Sequence, residues 1–568
     1  MDDDYIIGID LGTTKSGVAV FRNNKSEIIP DISGSRLIPS NVTFRDKDIL
    51  IGDAAKNAMS RYENKSLYNI KRLIGKKFSN KEVEEDIKNN LFSFKIEREL
   101  KNDKCIIIIE RNNKKEKYYP QQISGMILRR LKKNAETYLS TNGKKITKAI
   151  ITVPAYFNEE ERNATIEAGK IAGFEYIKLI NEPNAAALDY CITNNINNKI
   201  LLIFDIGGGT FDISILKIDN HLFNVLSIIG DKHFGGVDFD NKLLNFFIDE
   251  IKNEYNVDIT DNYKAKIRLK QECEKIKESL SFVNETELQI ECLFNGNDFY
   301  YQMTRSDFEN LCEDLFDKCI PLMKQALKNA KLTKKEIDNV VLVGGTSRIP
   351  KIAEIINEFF EKEKIISQKG INIDEVVALG AALFGENIKN NNFGHYNFKN
   401  SSFVVEEEKK LINLKFININ PISIGLNILN DKEENITDFM INKGEKLPAE
   451  KKEVFVTSKN NQTKVSFDIY QGENYYSKDN IKIGGFIIEN IRKAKKGEIE
   501  FNVYMKLDEN GILNVEAEEI GDKKLKRKIT LNNTLNLSNQ EIEKFRNFNN
   551  DSINQNETFN TSYKTEDI

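Results

Sequence analysis

The most constraining feature of this chain is a motif that occurs twice: an apolar strand ending in aspartate, a Gly/Thr turn, and a second apolar strand. Residues 5–10 (YIIGID) and 16–21 (SGVAVF) flank Asp10-Leu-Gly12-Thr13-Thr14. The run KILLIFDIGGGTFDISILKI, residues 199–218, repeats the arrangement around Asp205-Ile-Gly207-Gly208-Gly209-Thr210. Apolar, β-branched runs on both sides of turn residues read as hairpins. Two similar lobes facing each other would place both turns around one ligand. Backbone N–H groups in tight Gly/Thr turns make concave anion sites and threonine hydroxyls add donors, so the facing pair could clamp a di- or triphosphate. Asp10 and Asp205, at strand exits, could hold the waters of a Mg²⁺ ion, which keeps much of its hydration shell. Either turn alone is adequately explained as a hairpin connection; the pair, with a matching aspartate in each, favours phosphate binding. No Walker A run and no G-x-G-x-x-G occurs, which weighs against P-loop and Rossmann readings.

Composition narrows the alternatives. At 568 residues the chain is too long for one hydrophobic core and several domains are expected. Lys+Arg 83 against Asp+Glu 87 gives a net charge of -4, with no electrostatic reason to expect a nucleic-acid or membrane surface. The three histidines, His221, His233 and His395, have no metal-site or triad spacing. Chemistry would therefore rest on carboxylates, lysines and backbone amides. Six cysteines without a Cys-x-x-Cys pair read as buried small hydrophobes of a reducing compartment. The acidic start MDDDYIIGID is unlike a secretory or transit peptide, and no apolar run approaches the ~20 residues of a membrane span, so a cytoplasmic protein is expected.

Strand-like and helix-like segments alternate over the first three-quarters. AIITVPAYF leads into a helix over 159–172; residues 264–281 are a charged helix; NVVLVGGTSRIP at 339–350 is a strand ending in a third glycine turn; and 378–385 is helical. From 386 to about 414 the composition shifts to Asn, Lys and Glu, a flexible connector and a domain boundary. Short strand runs and the Asn510-Gly511 turn over 416–529 suggest an antiparallel β domain. Ser538 followed three residues later by Glu541 starts one short helix, and the remaining tail lacks the apolar content to fold.

Taken in chain order, IIGIDLGTTKSGVAVF, YNIKRLIGKKF, KAIITVPAYFNEEERNATIEAGKIAGF, INEPNAAAL, FDIGGGTFDIS, FGGVDFDN, VLVGGTSRIP, INPISIGL and YQGE resemble the 70-kDa heat-shock chaperones of the DnaK type. The likeness spans roughly residues 5–530. It implies an α/β, two-lobed actin/hexokinase-like ATPase domain over 1–386, a linker with an insertion over 387–418, a β-sandwich peptide-binding domain over 419–531, and a short helical and disordered tail, a truncated lid, over 532–568. The implied function is an ATP-dependent chaperone for exposed apolar peptide segments, with ATP binding and hydrolysis switching peptide affinity. Two alternatives stay open: a nucleotide-switch regulator of another chaperone with weak ATPase, and a small-molecule kinase, which the appended β domain disfavours.

The resemblance also implies residue roles. Gly12, Thr13 and Thr14 match the first phosphate turn, and Gly207, Gly208, Gly209 and Thr210 the second. Lys71 matches the lysine that positions the attacking water and γ-phosphate. Glu182, Asp205 and Asp212 match the carboxylates around Mg²⁺ and water, and Asp10 supports the metal and an accompanying K⁺. Glu274, Lys277 and Ser281, sharing a helix face, match adenosine contacts, as do Gly344, Gly345, Thr346, Arg348 and Asp374; Gly235 and Gly236 match a further nucleotide loop. Glu278 stands where many vertebrate members carry arginine, so no guanidinium stacks there. In the β domain Leu426, Phe455, Val465, Phe467 and Phe501 match a pocket for one aliphatic side chain, with Leu429 and Ser458 as the arch over the peptide; Phe467 and Phe501 read equally well as sandwich core. Pro154, Tyr156 and Arg162 match an interdomain relay. Lys178 and Asn418 replace the arginine and acidic residue associated with J-domain stimulation. ATP/ADP, a J-domain co-chaperone and a nucleotide exchange factor are the implied ligands and partners of a monomer.

Overall fold

Both halves of the repeated motif form hairpins, and each hairpin is the centre of a sheet. In the computed structural model, which describes residues 5–89, 91–140, 145–219, 222–361, 372–392, 415–509, 511–521, 526–530 and 537–548, Ile6–Asp10 pairs antiparallel with Lys15–Arg22, Asp10 standing opposite Gly17. The same strand pairs in parallel with Lys148–Val153, which pairs with Tyr176–Asn181, while Lys25–Ile28 extends the hairpin. The second lobe repeats this order: Asn339–Val343 runs parallel to Lys199–Ile206, which pairs antiparallel with Phe211–Asp219, followed by Leu222–Asp231. Asp205 and Asp212 face each other across the central hairpin. Strands such as KILLIFDI are apolar without alternation because both faces are buried.

Helices cover the sheets with local signals that are easy to trace. Glu159–Ile171 is closed by a capping box in which Asn158 accepts from the Glu161 N–H and Glu161 accepts from the Asn158 N–H, each at 2.9 Å. Tyr263–Leu280 starts on an Asn262 cap. Glu182–Thr193 and Val376–Asn392 cross so closely that a Cβ on Gly380 would collide with the Ala185 carbonyl. The second of these runs past residue 386, the expected end of the domain. Residues 386–392 hold neither Gly nor Pro and Ile388 is anchored in the core, so nothing stops the helix there.

The connector is only partly outside the described residues. Lys415–Ile417 joins the second lobe as a parallel edge strand, Phe416 opposite Phe223. The Phe416 ring stacks on Phe223 (centroids 4.9 Å apart) and meets Phe384 edge-on at 5.5 Å. Beyond it, two four-stranded antiparallel sheets pack face to face around Ile424, Leu426, Phe467, Phe501, Val503 and Val515. Residues 539–548 form the helix expected after Ser538, which exchanges capping bonds with Glu541. Asn510, His221, His395, most of the connector and the tail beyond 548 lie outside the described residues. Five cysteines are buried; Cys292 is exposed, contrary to the expectation, because it sits on a strand edge at positive φ. Among the described residues no helix is long and apolar enough to cross a membrane.

The sandwich and the start of the tail helix both rest on the first lobe. Arg162 donates to Phe157 O, Ala155 O and Asn181 Oδ1 at 2.9–3.2 Å, and its stem lies against Gly511. Lys77 Nζ reaches Lys482 O at 3.2 Å, and Leu537 N–H donates to Glu167 Oε1 at 2.7 Å. Burial pushes the Glu159 carboxyl up to about 8, against the opposing pull of a backbone hydrogen bond from Leu513. Released from the sandwich, that carboxyl would titrate near its ordinary value of about 4.3. Between about pH 4 and pH 8 the docked form therefore holds a proton that the released form gives up, and docking weakens as pH rises through that window. Glu159→Gln is expected to reduce the pH slope of docking, read by energy transfer between dyes on the two domains; an unchanged slope would remove Glu159 from the effect.

Candidate nucleotide site

The two Gly/Thr turns meet across the cleft between the lobes. A Cβ on Gly208 would strike Thr14 Oγ1, and one on Gly209 would lie 2.7 Å from Thr13 Cγ2. The second turn is fixed from behind: Gly207 N–H donates to Thr210 O at 3.0 Å, Gly236 N–H to Gly207 O at 2.9 Å, and Thr346 Oγ1 to Gly207 O at 2.8 Å. The first turn is held by Ser16, whose Oγ accepts from Gly12 N–H at 3.2 Å and meets Ser40 Oγ at 2.8 Å.

The resulting cleft has a volume of about 330 Å³. It is lined at one end by Asp10, Gly12, Thr13, Thr14, Lys71, Glu182, Asp205, Gly207, Gly208 and Thr210. At the other end stand Gly236, Glu274, Lys277, Ser281, Gly344, Gly345, Thr346, Arg348 and Asp374. Gly209, Asp212 and Gly235 are the sequence-selected residues that do not reach its surface. Gly209 backs the turn, and Asp212 is buried one strand behind Asp205. Gly235 carries no side chain because a Cβ would press on the Gly208–Gly209 backbone.

Charge is distributed unevenly. Lys71 Nζ lies 2.6 Å from Glu182 Oε1, both side chains under a tenth exposed. Around this pair stand Asp10, Asp205 and Asp212. Burial first, and Glu182 second, push Asp10 up to about 7 and Asp212 up to about 8, while Lys71 pulls both back; Asp205 is raised by the same causes. The four carboxylates, with Lys71 among them and Lys232 acting on Asp212 as well, crowd hard oxygen donors into one place, a donor set that suits Mg²⁺ or K⁺. Among the described residues no three acidic, imidazole or thiol groups converge tightly enough to ligate a metal directly, so an ion here would be held chiefly through water.

At the far end, the helix-face residues are tied into ion pairs that the sequence does not reveal, the first of them across the cleft. Glu274 pairs with Lys56 at 2.6 Å, and Lys277 pairs with Asp240 at 2.6 Å and donates to Gly236 O at 3.1 Å. Ser281 Oγ donates to Lys277 O at 3.1 Å, and Arg348 pairs with Asp374 at 2.6 Å. Sequence reasoning missed Lys15, Asp240 and Phe282, which also line the cleft. Phe282 had a usable signal, since it falls eight residues after Glu274 and so on the same helical face.

The residues selected in the β domain do not share one environment. Leu426, Phe467 and Phe501 are buried in the sandwich core, with Phe467 edge-to-face on Phe501 at 5.7 Å. Phe455 and Val465 pack at its margin, Ser458 is half-buried, and Leu429 is exposed.

A two-lobed α/β domain whose cleft is walled by two facing Gly/Thr turns, joined by an edge strand to a β sandwich, is the class of protein these features define. A family model described as Hsp70 protein matches residues 6–567. The chain is 39% identical over 541 residues to Heat shock cognate 70 kDa protein 3 of Dictyostelium discoideum, covering 95% of this chain and 82% of that protein. It is 39% identical over 539 residues to a Heat shock 70 kDa protein of Neurospora crassa, covering 95% of this chain and 79% of that one. The chain belongs to the Hsp70 family, and the fold class expected from the sequence is the one observed. Membership makes it, in general terms, an ATP-binding heat-shock chaperone.

Proposed function

We propose that this chain is an ATP hydrolase coupled to peptide binding: nucleotide in the cleft sets the affinity of the β sandwich for exposed apolar segments of unfolded proteins. The observation that carries this is the Lys415–Ile417 strand. It extends the sheet whose next hairpin bears Asp205, Thr210 and Asp212, and it leads directly into the sandwich. A shift of the lobe that follows nucleotide exchange would be felt at Phe416 through Phe223. Asn184 Nδ2 donates to Asn418 Oδ1 at 2.7 Å, tying the end of the connector to the helix that starts at Glu182.

In this reading the N–H groups and hydroxyls of Thr13, Thr14, Gly207, Gly208 and Thr210 hold the β- and γ-phosphates. Lys71, steered by Glu182, orients the attacking water and the γ-phosphate; Asp212 and Asp205 fix the water network, and Asp10 the cation side. Mg²⁺, held through water by Asp10 and Asp205 with K⁺ nearby, would supply neutralisation of phosphate charge. The work of the protein is positioning and charge stabilisation. The peptide would lie against Phe455 and Val465 beneath Leu429 and Ser458, while Leu426, Phe467 and Phe501, closed into the sandwich core, support that surface from behind and do not meet the peptide; affinity would come from backbone bonding and one apolar contact with little sequence selectivity. We place the protein in the cytoplasm as a monomer served by a J-domain co-chaperone and an exchange factor. Single-turnover ATP hydrolysis with and without a short apolar peptide tests the coupling: peptide should speed hydrolysis, and indifference to peptide would overturn it.

A further inference from the structure

One aromatic residue, Phe282, stands at the base end of the cleft and takes no part in the turn contacts or ion pairs there. Phe282 is 72% exposed and belongs to none of the apolar cores formed by the described residues. Phe282 nevertheless lines the same cleft as Ser281, Gly345, Arg348, Ile349 and Asp374. Single exposed apolar residues are ordinary; what sets this ring apart is its place at the rim of a ligand cleft, where the gain of burying it is recovered by whatever planar group the cleft binds.

Its placement is built. The Tyr263–Leu280 helix turns Glu274, Lys277, Glu278 and Ser281 into the cleft, and Phe282 extends that face past the helix end. The chain there is clamped: Phe282 N–H donates to Ser279 O at 2.9 Å, Arg305 Nε to Leu280 O at 2.7 Å, and Arg305 Nη2 to Val283 O at 3.0 Å. The guanidinium thus satisfies orphan carbonyls at the helix end and fixes the backbone that carries the ring.

The charges around it are engaged elsewhere. Glu278, one turn back, is held by Lys15 at 3.0 Å from the opposite lobe, across the mouth of the cleft. Arg348 is held by Asp374. What this end offers a flat heterocycle is therefore a π face and a guanidinium plane, both of which are stacking platforms for nucleobases.

We infer that Phe282 is the base platform of this cleft, its ring stacking on the purine of the bound nucleotide. The inference rests on reading the cleft as a nucleotide site. Stacking adds affinity without reading hydrogen-bond edges, so Phe282 strengthens nucleotide retention and leaves base identity to other groups.

The test uses the full chain, with ATP and ADP affinity measured by calorimetry and hydrolysis of saturating ATP measured in single turnover. Phe282→Ala is expected to weaken both nucleotides about tenfold or more, to leave the saturated hydrolysis rate and the melting temperature of the ligand-free chain unchanged, and to be rescued by Phe282→Trp. Unchanged affinity in the alanine variant, or a fall in affinity matched by an equal fall in the saturated rate, would overturn the inference. Failure of the unaltered chain to bind ATP at all would overturn the nucleotide-site reading and this inference together.

Discussion

Lys71→Ala is expected to slow single-turnover ATP hydrolysis by about 10²–10³-fold while ATP still binds, the range seen when one preorganised charge-stabilising donor is removed from an active site. The two halves of this expectation come from different parts of the cleft. Phosphate binding is assigned to backbone and hydroxyl donors of the two turns, which Lys71 does not touch. Hydrolysis is assigned to the end where Lys71 is the buried cation facing Asp10, Glu182, Asp205 and Asp212. Its removal also takes away the one attraction from a buried lysine that lowers the Asp10 and Asp205 carboxyls, so both would rise further toward the neutral form. Glu182→Gln separates positioning from charge: it keeps Lys71 and weakens its tether, and is expected to give a smaller loss. Unchanged turnover in the alanine variant would remove Lys71 from the chemistry.

The second large effect is expected at the connector. Phe416→Ala deletes the ring held between Phe223 and Phe384, the main apolar anchor of a three-residue strand. Removing a half-buried phenyl ring with two aromatic neighbours costs about 1–3 kcal/mol, enough to lower the docking equilibrium constant by roughly five- to 150-fold. Amide hydrogen exchange across Lys415–Ile417 should accelerate by that factor, and ATP should lose its influence on peptide release while basal hydrolysis continues. Retained protection of these amides would show that the backbone pairing with Leu222–Asp231, and not the ring, holds the connector.

How far the sequence reaches follows from the range of each signal. The hairpins around Asp10 and Asp205 were legible because turn chemistry and continuous apolar strands are local. So was the Ser538 cap with Glu541. The connector strand was not, since Lys415 interrupts the apolar run LINLKFINI and the pairing of Lys415–Ile417 with Leu222–Asp231 depends on tertiary contact alone. The same holds for the end of the Val376–Asn392 helix, where Ile388 is kept helical by the core it enters. In the cleft, the turn residues were found through their repetition. The cross-lobe pairs Lys56–Glu274 and Lys15–Glu278, and the pair Lys277–Asp240 between two helices of the second lobe, were not, because partners separated by 37 to 263 positions leave no periodic trace. They decide which side chains remain free to meet a ligand.

The claim that nucleotide governs the sandwich through the connector is tested most directly by the dissociation rate of one fluorescent apolar peptide from the full chain, saturated in turn with ATP and with ADP. The account predicts markedly faster release with ATP, and loss of that difference in Phe416→Ala. Equal release with the two nucleotides in the unaltered chain, at concentrations where both are bound, would contradict it.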